Sequence, residues 1–376
     1  MRRPPVLHVI PFLWSGAGGV VTRLCEAQRQ HGPVAIVTTG KTVEHADWPA
    51  YRTRLRRAGV THHSIDFFHR DQDLFWSGVG QLQALIDDLR PGVIHAHAGV
   101  PACAVHAARE GGRNVRVIGQ MYSWGPDRPE WMNRQDTWGL RQCDRVVCSA
   151  HSYSDLLVSY GVPAAKLVYL PWGLPLDRLP FESRLAPQSS GRRRHRPSGP
   201  VIGFVGRIEP RKGQLDLVNA FARVRKRLPA ARLELVGPIA DKAYAATVHA
   251  AVQRQGLDGA VVLAGKVREV QPWLLRWDLF VSMSSDEGQG LAVLEAMATG
   301  VPVLASPVAG IADFLTDGRT GFTLSAATAR GVADRILHVL GRPTLLANVE
   351  RGARRLVERR YSWDLTVSAF ERLYWS

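Results

Sequence analysis

The stretch from Ser284 to Gly310 leaves this chain the fewest folding options. It reads Ser-Ser-Asp-Glu-Gly-Gln-Gly-Leu-Ala-Val-Leu-Glu-Ala-Met-Ala-Thr-Gly-Val-Pro-Val-Leu-Ala-Ser-Pro-Val-Ala-Gly, which predicts a glycine-rich loop, a helix and a buried strand. Gly288 and Gly290 let bare backbone N–H groups approach a ligand, and the following helix offers the positive end of its dipole, so the junction suits a phosphate. Glu287 and Glu295 bracket that junction. If the whole step between them is helical it spans roughly 12 Å along the axis, about the length of a sugar diphosphate. Taken singly, each glutamate reads more readily as a solvated side chain, the default for that residue.

A chain of 376 residues has room for two domains, each with its own core. Its formal charge of +15 implies attraction to something anionic, whether a nucleotide sugar, an acidic membrane face or a nucleic acid, and does not choose among them. Cys25, Cys103, Cys143 and Cys148 are scattered and sit mostly in apolar runs. That usage suits reduced, buried thiols, and no spacing suggests a metal site, so none is expected. The opening Arg2-Arg3-Pro4-Pro5 imitates a signal peptide, but His8 and Pro11 interrupt its apolar core. No run reaches the roughly 18 apolar residues of a membrane span. The expected location is cytoplasmic.

Along the chain, Val6–Ile10 predicts a strand, Ser15-Gly16-Ala17-Gly18-Gly19 a glycine turn, and Val20 towards Arg29 a helix, the opening of a nucleotide-binding βαβ unit. Further strands are expected at Val34–Thr38, Val93–His95, Val115–Gly119, Arg145–Cys148 and Leu167–Leu170, alternating with helical stretches, as in a parallel sheet covered on both faces. His95-Ala96-His97 falls at a strand end, where such a sheet places its ligands. Gln120–Gly125 leads into an aromatic stretch with Trp131 and Trp138, whose faces suit a sugar or a lipid as well as simple packing. The acceptor is to be sought there. From Arg178 to Gly199 periodicity collapses into a basic, turn-rich run read as a solvated connector. Val201–Val205 then opens a second set of strands, continued at Leu233–Val236, Val261–Ala264, Leu279–Ser282 and Val303–Ala305. Arg207 and Lys212 lie in the first strand-to-helix loop of this half, with Arg211 between them read as a surface residue.

Glu287 and Glu295, the intervening Gly-x-Gly-Leu, and Glu-Ala-Met-Ala-x-Gly-x-Pro-Val together resemble the donor-binding signature of glycosyltransferase family 4. The resemblance implies an α/β protein of the GT-B fold, two Rossmann-like domains facing across a cleft, and retaining, metal-independent transfer from a nucleotide-diphosphate sugar with no other cofactor. It implies that Arg207 and Lys212 clamp the donor diphosphate, and that Glu287 positions the sugar while Glu295 holds the ribose. Gly288, Gln289, Gly290 and Leu291 line the donor, Gly18 and Gly19 approach it from the first loop, and His97 contacts the sugar. His95, one pleat deeper, supports the site. Trp172 stands where many relatives have asparagine, and Gly310-Ile311-Ala312-Asp313 replaces the more usual Gly-Ile-Pro-Glu. The implied domains are 1–177, a linker 178–199, 200–360, and a C-terminal helix 361–376 that crosses back.

Two other readings stand beside this one. An epimerase or a phosphorylase uses the same fold, and a non-catalytic basic protein that binds membrane or RNA would carry the same charge. Among partners a nucleotide-sugar donor is expected, with peripheral contact to an anionic membrane permitted by the charge and no nucleic acid expected. Donor base, acceptor, linkage and oligomeric state are open at this point.

Overall fold

The computed structural model describes residues 3–68, 71–109, 115–124, 128–183, 199–325 and 328–376. Gly125 and the basic run Ser189–Ser198 lie outside the described residues. The chain separates into two compact units, Met1–Trp172 with Asp364–Ser376, and Gly173–Trp363.

The first unit is built on β1 (Val6–Val9), β2 (Val34–Thr38), β3 (Thr61–Ser64), β4 (Val93–His97), β5 (Arg116–Met121), β6 (Arg145–Cys148) and β7 (Leu167–Tyr169). The second is built on β8 (Val201–Val205), β9 (Arg232–Val236), β10 (Val261–Gly265), β11 (Leu279–Ser282), β12 (Val303–Ala305) and β13 (Phe322–Thr323). The sheets run β3-β2-β1-β4-β5-β6-β7 and β10-β9-β8-β11-β12-β13, with every named pair parallel. Central strands such as β1, β4 and β8 are buried along almost their whole length, even where β1 and β4 carry histidines, because both faces of a parallel sheet lie under helices.

In each sheet the strand order reverses beside the first strand of the unit, between β1 and β4 and again between β8 and β11. An open parallel sheet binds its ligands at the carboxyl ends of the strands flanking such a reversal, because the loops diverge there. The residues to watch therefore follow Val9, His97, Val205 and Ser282.

The final helix, Trp363–Trp375, packs on the first unit: Phe370 and Tyr374 are buried, and the Thr366 hydroxyl donates to the Pro171 carbonyl at 3.1 Å. Trp172 is buried against it, its ring 5.2 Å from Phe370 and nearly parallel to Tyr122 at 6.4 Å. In the second unit, β8, β9 and the helix Gln214–Arg227 share one buried apolar cluster, while Trp277, Phe280 and the helix Leu291–Ala298 build another on the opposite face.

Two local expectations are corrected. The first helix runs Ser15–Arg29, so Gly18 and Gly19 lie inside its first turns rather than in a turn before it. Neither adopts a positive φ. A Cβ on Gly18 would stand 2.7 Å from the Leu13 carbonyl carbon, so this glycine serves close backbone approach. The second correction concerns the step from Glu287 to Glu295, since Glu287 lies, as expected, in the loop before the helix. The helix starts only at Leu291, so four residues of helical rise, roughly 6 Å, separate Leu291 from Glu295.

Candidate active site

The second unit gathers its charged residues on two loops at the β8 and β11 ends. After β8 the chain makes one short turn, Pro210–Lys212, and passes through Gly213 at φ 71° into the helix Gln214–Arg227. That left-handed position tolerates no side chain, because a Cβ would come within 2.7 Å of the Met283 carbonyl oxygen. The β8 loop is thereby pressed onto the β11 loop, where Ser285 N–H donates to the Arg211 carbonyl at 2.9 Å.

Ion pairs complete the join. Lys212 Nζ lies 2.6 Å from Glu287 Oε1, which also accepts from Ser284 Oγ at 2.8 Å. Arg211 is a quarter exposed and is not a free surface cation. Its guanidinium reaches Asp286 at 3.0 Å and Glu209 at 3.1 Å, bracing the two loops. Arg207 is the more open of the set, 43% exposed, with Glu209 3.1 Å away. Its carbonyl is fixed by the buried Gln214 amide at 2.7 Å.

Beyond Glu287 the loop closes on Gly290, which caps the helix Leu291–Ala298 at φ 78° without a side-chain acceptor. Gly310 packs so tightly beneath that a Cβ would lie 2.4 Å from Gln289 Cα, and its N–H donates to the Glu287 carbonyl at 3.2 Å. Gln289 is buried, so this loop presents its backbone rather than that side chain. Glu295 is half-buried one turn into the helix. The structure thus brings Arg207, Lys212, Glu287 and Gly288–Leu291 onto one rim with Glu295 a turn beyond.

At the β1 and β4 ends of the first unit the chemistry is the reverse, neutral and buried. His8, His95 and His97 are at most 1% exposed. His97 Nε2 lies 3.0 Å from His8 Nδ1, and His97 Nδ1 lies 2.8 Å from the Tyr122 phenol. His8 Nε2 is 2.8 Å from Gln28 Oε1, and His95 Nδ1 is 2.6 Å from the Tyr374 phenol. Burial pulls His8 down to about 4 against the opposing effect of its hydrogen bond to the Gln28 carbonyl oxygen. Burial, reinforced by the neighbouring histidines, holds His95 and His97 well below the ordinary range.

These three rings are the metal-capable cluster among the described residues, with one ring nitrogen each within 4.8 Å of the others. They suit a cation poorly. Two of its nitrogens, His8 Nδ1 and His97 Nε2, already meet each other at hydrogen-bond distance, so one of them carries a proton and offers no free lone pair. Sequence reasoning assigned no role to His8, Gln28, Glu209, Ser284 and Asp286, whereas Tyr122 lies in the stretch Gln120–Gly125 where the acceptor is sought. A histidine inside the apolar run Val-Leu-His-Val-Ile was the one signal available for the first of them.

Two Rossmann-like parallel sheets, with ligand-facing groups at both reversal points, define an α/β enzyme of the GT-B type. The profile of glycosyl transferases group 1 matches residues 199–342, and that of glycosyltransferase family 4 matches residues 14–178. D-inositol 3-phosphate glycosyltransferase 2 of Catenulispora acidiphila is 28% identical over 323 residues, covering 80% of this chain and 74% of that protein. Glycogen synthase of Mycobacterium tuberculosis is 26% identical over 308 residues, covering 76% of this chain and 69% of its own. Among solved structures, Anabaena HepE in complex with UDP and glucose is similar at a TM-score of 0.82 and 18% identity over 99% of both chains. The chain belongs to glycosyltransferase family 4, and its activity is transfer of a glycosyl group from a nucleotide sugar.

Proposed function

We propose that the second unit holds a nucleoside diphosphate hexose by its diphosphate, through Arg207, Lys212 and the backbone amides of Gly288–Leu291. The observation that carries this reading is the Lys212–Glu287 pair at 2.6 Å on the rim of a glycine loop that opens a helix. An ammonium held there is already in place for an arriving phosphate. A unit charge pair near 4 Å at an effective dielectric of 20 is worth about 4 kcal/mol before desolvation is subtracted.

The bond from the anomeric carbon to the donor phosphate breaks, and a bond to the acceptor oxygen forms on the same face. The acceptor proton goes to the departing phosphate. Negative charge grows on the diphosphate during this step, so fixed cations and amides bind the transition state better than the ground state. Glu287 orients the sugar hydroxyls, and Glu295 accepts from the ribose diol. His97 belongs to the sugar side of the site, and Gly18 and Gly19 to the first loop beside the donor. Two protein cations then do what a divalent ion does in other transferases, and we propose that the enzyme needs neither metal nor further cofactor.

Peripheral membrane contact is a second element of the proposal, with the cytoplasm as the compartment. Trp131 and Trp138 are 60% and 50% exposed on the helix Glu130–Arg141, and Arg134 stands between them. Among the described residues no helix is long and apolar enough to cross a membrane. All four cysteines are free and buried, as suits a reducing compartment.

A thermal-shift titration with UDP, GDP, ADP and their hexose conjugates, with and without chelator, tests the donor clamp. Selective stabilisation by one nucleotide, indifferent to chelator, is the expected result. A folded protein stabilised by none of them, or only when metal is present, would refute it.

A further inference from the structure

Four side chains of the first unit stand in single file. Gln28 Oε1 is 2.8 Å from His8 Nε2, His8 Nδ1 is 3.0 Å from His97 Nε2, and His97 Nδ1 is 2.8 Å from the Tyr122 oxygen. A neutral imidazole carries one proton on one of two nitrogens, so each contact in such a file dictates the next. The Gln28 carbonyl oxygen accepts only, which puts the His8 proton on Nε2 and leaves Nδ1 bare. His97 must then donate through its own Nε2. Its bare Nδ1 takes the proton of Tyr122.

The first three members are buried, at most 2% exposed. Tyr122 is partly exposed, one residue past the end of β5, at the carboxyl edge of the sheet. Its ring is steadied by the nearly parallel Trp172, inclined by 6°. The file therefore begins in the core and ends at the edge where ligands bind.

We propose that Tyr122 is a side chain through which the first unit meets substrate, and that it accepts a hydrogen bond from a sugar or acceptor hydroxyl. This rests on the transferase reading above. With its own proton given to His97, the phenol offers a ligand only lone pairs, so it selects for a hydroxyl that donates. His97, with both ring nitrogens engaged, is a positioning residue: it orients the phenol and sets the direction of its proton. Gln28 and His8 do the same at one and two removes. A deoxygenated substrate would leave the phenol without its donor, which is how a polar site discriminates against an analogue lacking the group.

Two measurements on the full chain decide the matter. In ¹⁵N NMR of the imidazoles at pH 7, His8 and His97 are both expected as Nε2–H tautomers. Nδ1–H forms would reverse the file, make Tyr122 an outward donor and overturn the proposal. One equivalent of added Co²⁺ giving a visible band that disappears in His97→Ala would overturn it also, since the file would then be a ligand set. In the second measurement, Tyr122→Phe, with an unchanged melting temperature, is expected to lose about tenfold in kcat/KM. The loss should appear chiefly in the KM of the hydroxyl-bearing partner and vanish with the matching deoxy analogue. No transfer by the wild type defeats the transferase reading and the contact with it. Wild-type transfer with an unaffected Tyr122→Phe defeats the contact alone.

Discussion

The two strand reversals share one topology and have opposite electrostatics. At the β8 and β11 ends, Arg207, Arg211 and Lys212 face Glu209, Asp286 and Glu287 in a part-buried lattice of ion pairs, with Arg207 the most open. At the β1 and β4 ends, His8, His95 and His97 are sealed and neutral, sharing hydrogen bonds with Gln28, Tyr122 and Tyr374. The difference follows from what each must hold. A diphosphate that gains charge needs cations kept charged near water, whereas a sugar hydroxyl needs a single fixed direction. The fold supplies the place, and the loops supply the chemistry.

Removing a cation from the charged end breaks the comparison most directly. Lys212→Ala deletes a clamp and leaves Glu287 uncompensated against the phosphates, so it is expected to lower kcat about a thousandfold, about 4 kcal/mol. Arg207→Ala, at a more exposed position, is expected to lose about a hundredfold. Steady-state kinetics on variants with wild-type circular dichroism would check both. Full turnover in either would remove that residue from the mechanism.

Acid should separate the two ends by their stability. The unfolded chain takes up a proton on each histidine near the ordinary 6.5, while folded His8 resists until about 4. Between those values the unfolded state binds more protons, so stability falls as pH drops through that window and levels off below it. A shift of that size amounts to about 3 kcal/mol from His8 alone, and His95 and His97 are shifted in the same direction. Hydrogen exchange, corrected for the intrinsic pH dependence of amides, is expected to show β1 and β4 losing protection between pH 7 and 5 before β8 and β11. Equal loss in both sheets would contradict the sealed, neutral character of the first.

Glu295→Ala is a smaller lesion, because this carboxylate touches the donor away from the breaking bond. About a tenfold weaker nucleotide affinity, about 1.4 kcal/mol, with kcat little changed is the expected outcome by calorimetry. An unchanged affinity would take the ribose away from Glu295.

Legibility in the sequence followed the same divide. The charged end could be read because its residues sit within short loops next to glycines, and β8, β11 and β12 are unbroken apolar runs. Arg211 was misread, since nothing local reveals that Asp286 lies 75 positions on and 3.0 Å away. The neutral end was largely hidden for that reason: His8 and His97 are 89 positions apart, and His95 and Tyr374 are 279. β3, with the sequence Thr-His-His-Ser at a sheet edge, carries no apolar pattern, and β13 has two residues. The early start of the first helix was lost because glycines signal a turn by default, whereas Gly18 is there to let the helix touch Leu13.

The smallest expected effect concerns the surface. Among the described residues the exposed tryptophans, Trp76, Trp131 and Trp138, all belong to the first unit, whereas the second exposes only Ile239 and Val262 of comparable apolar character. Trp131, Arg134, Trp138 and Arg141 recur at helical spacing on one face of Glu130–Arg141, and Asp136 and Leu140 are buried on the other. Tryptophan seats itself at a membrane interface, and each arginine near anionic lipid adds about 1 kcal/mol. Arg134 is held by Glu130 at 3.1 Å, which blunts its share. Replacing both tryptophans by serine should therefore shift folding stability by no more than about 0.5 kcal/mol. The same change should reduce sedimentation with phosphatidylserine vesicles severalfold, and any association with neutral vesicles should fall as well, because the interfacial preference of tryptophan does not depend on lipid charge. Undiminished binding to anionic vesicles would show that charge alone carries the contact and that the asymmetry in exposed aromatics between the two units has no bearing on it.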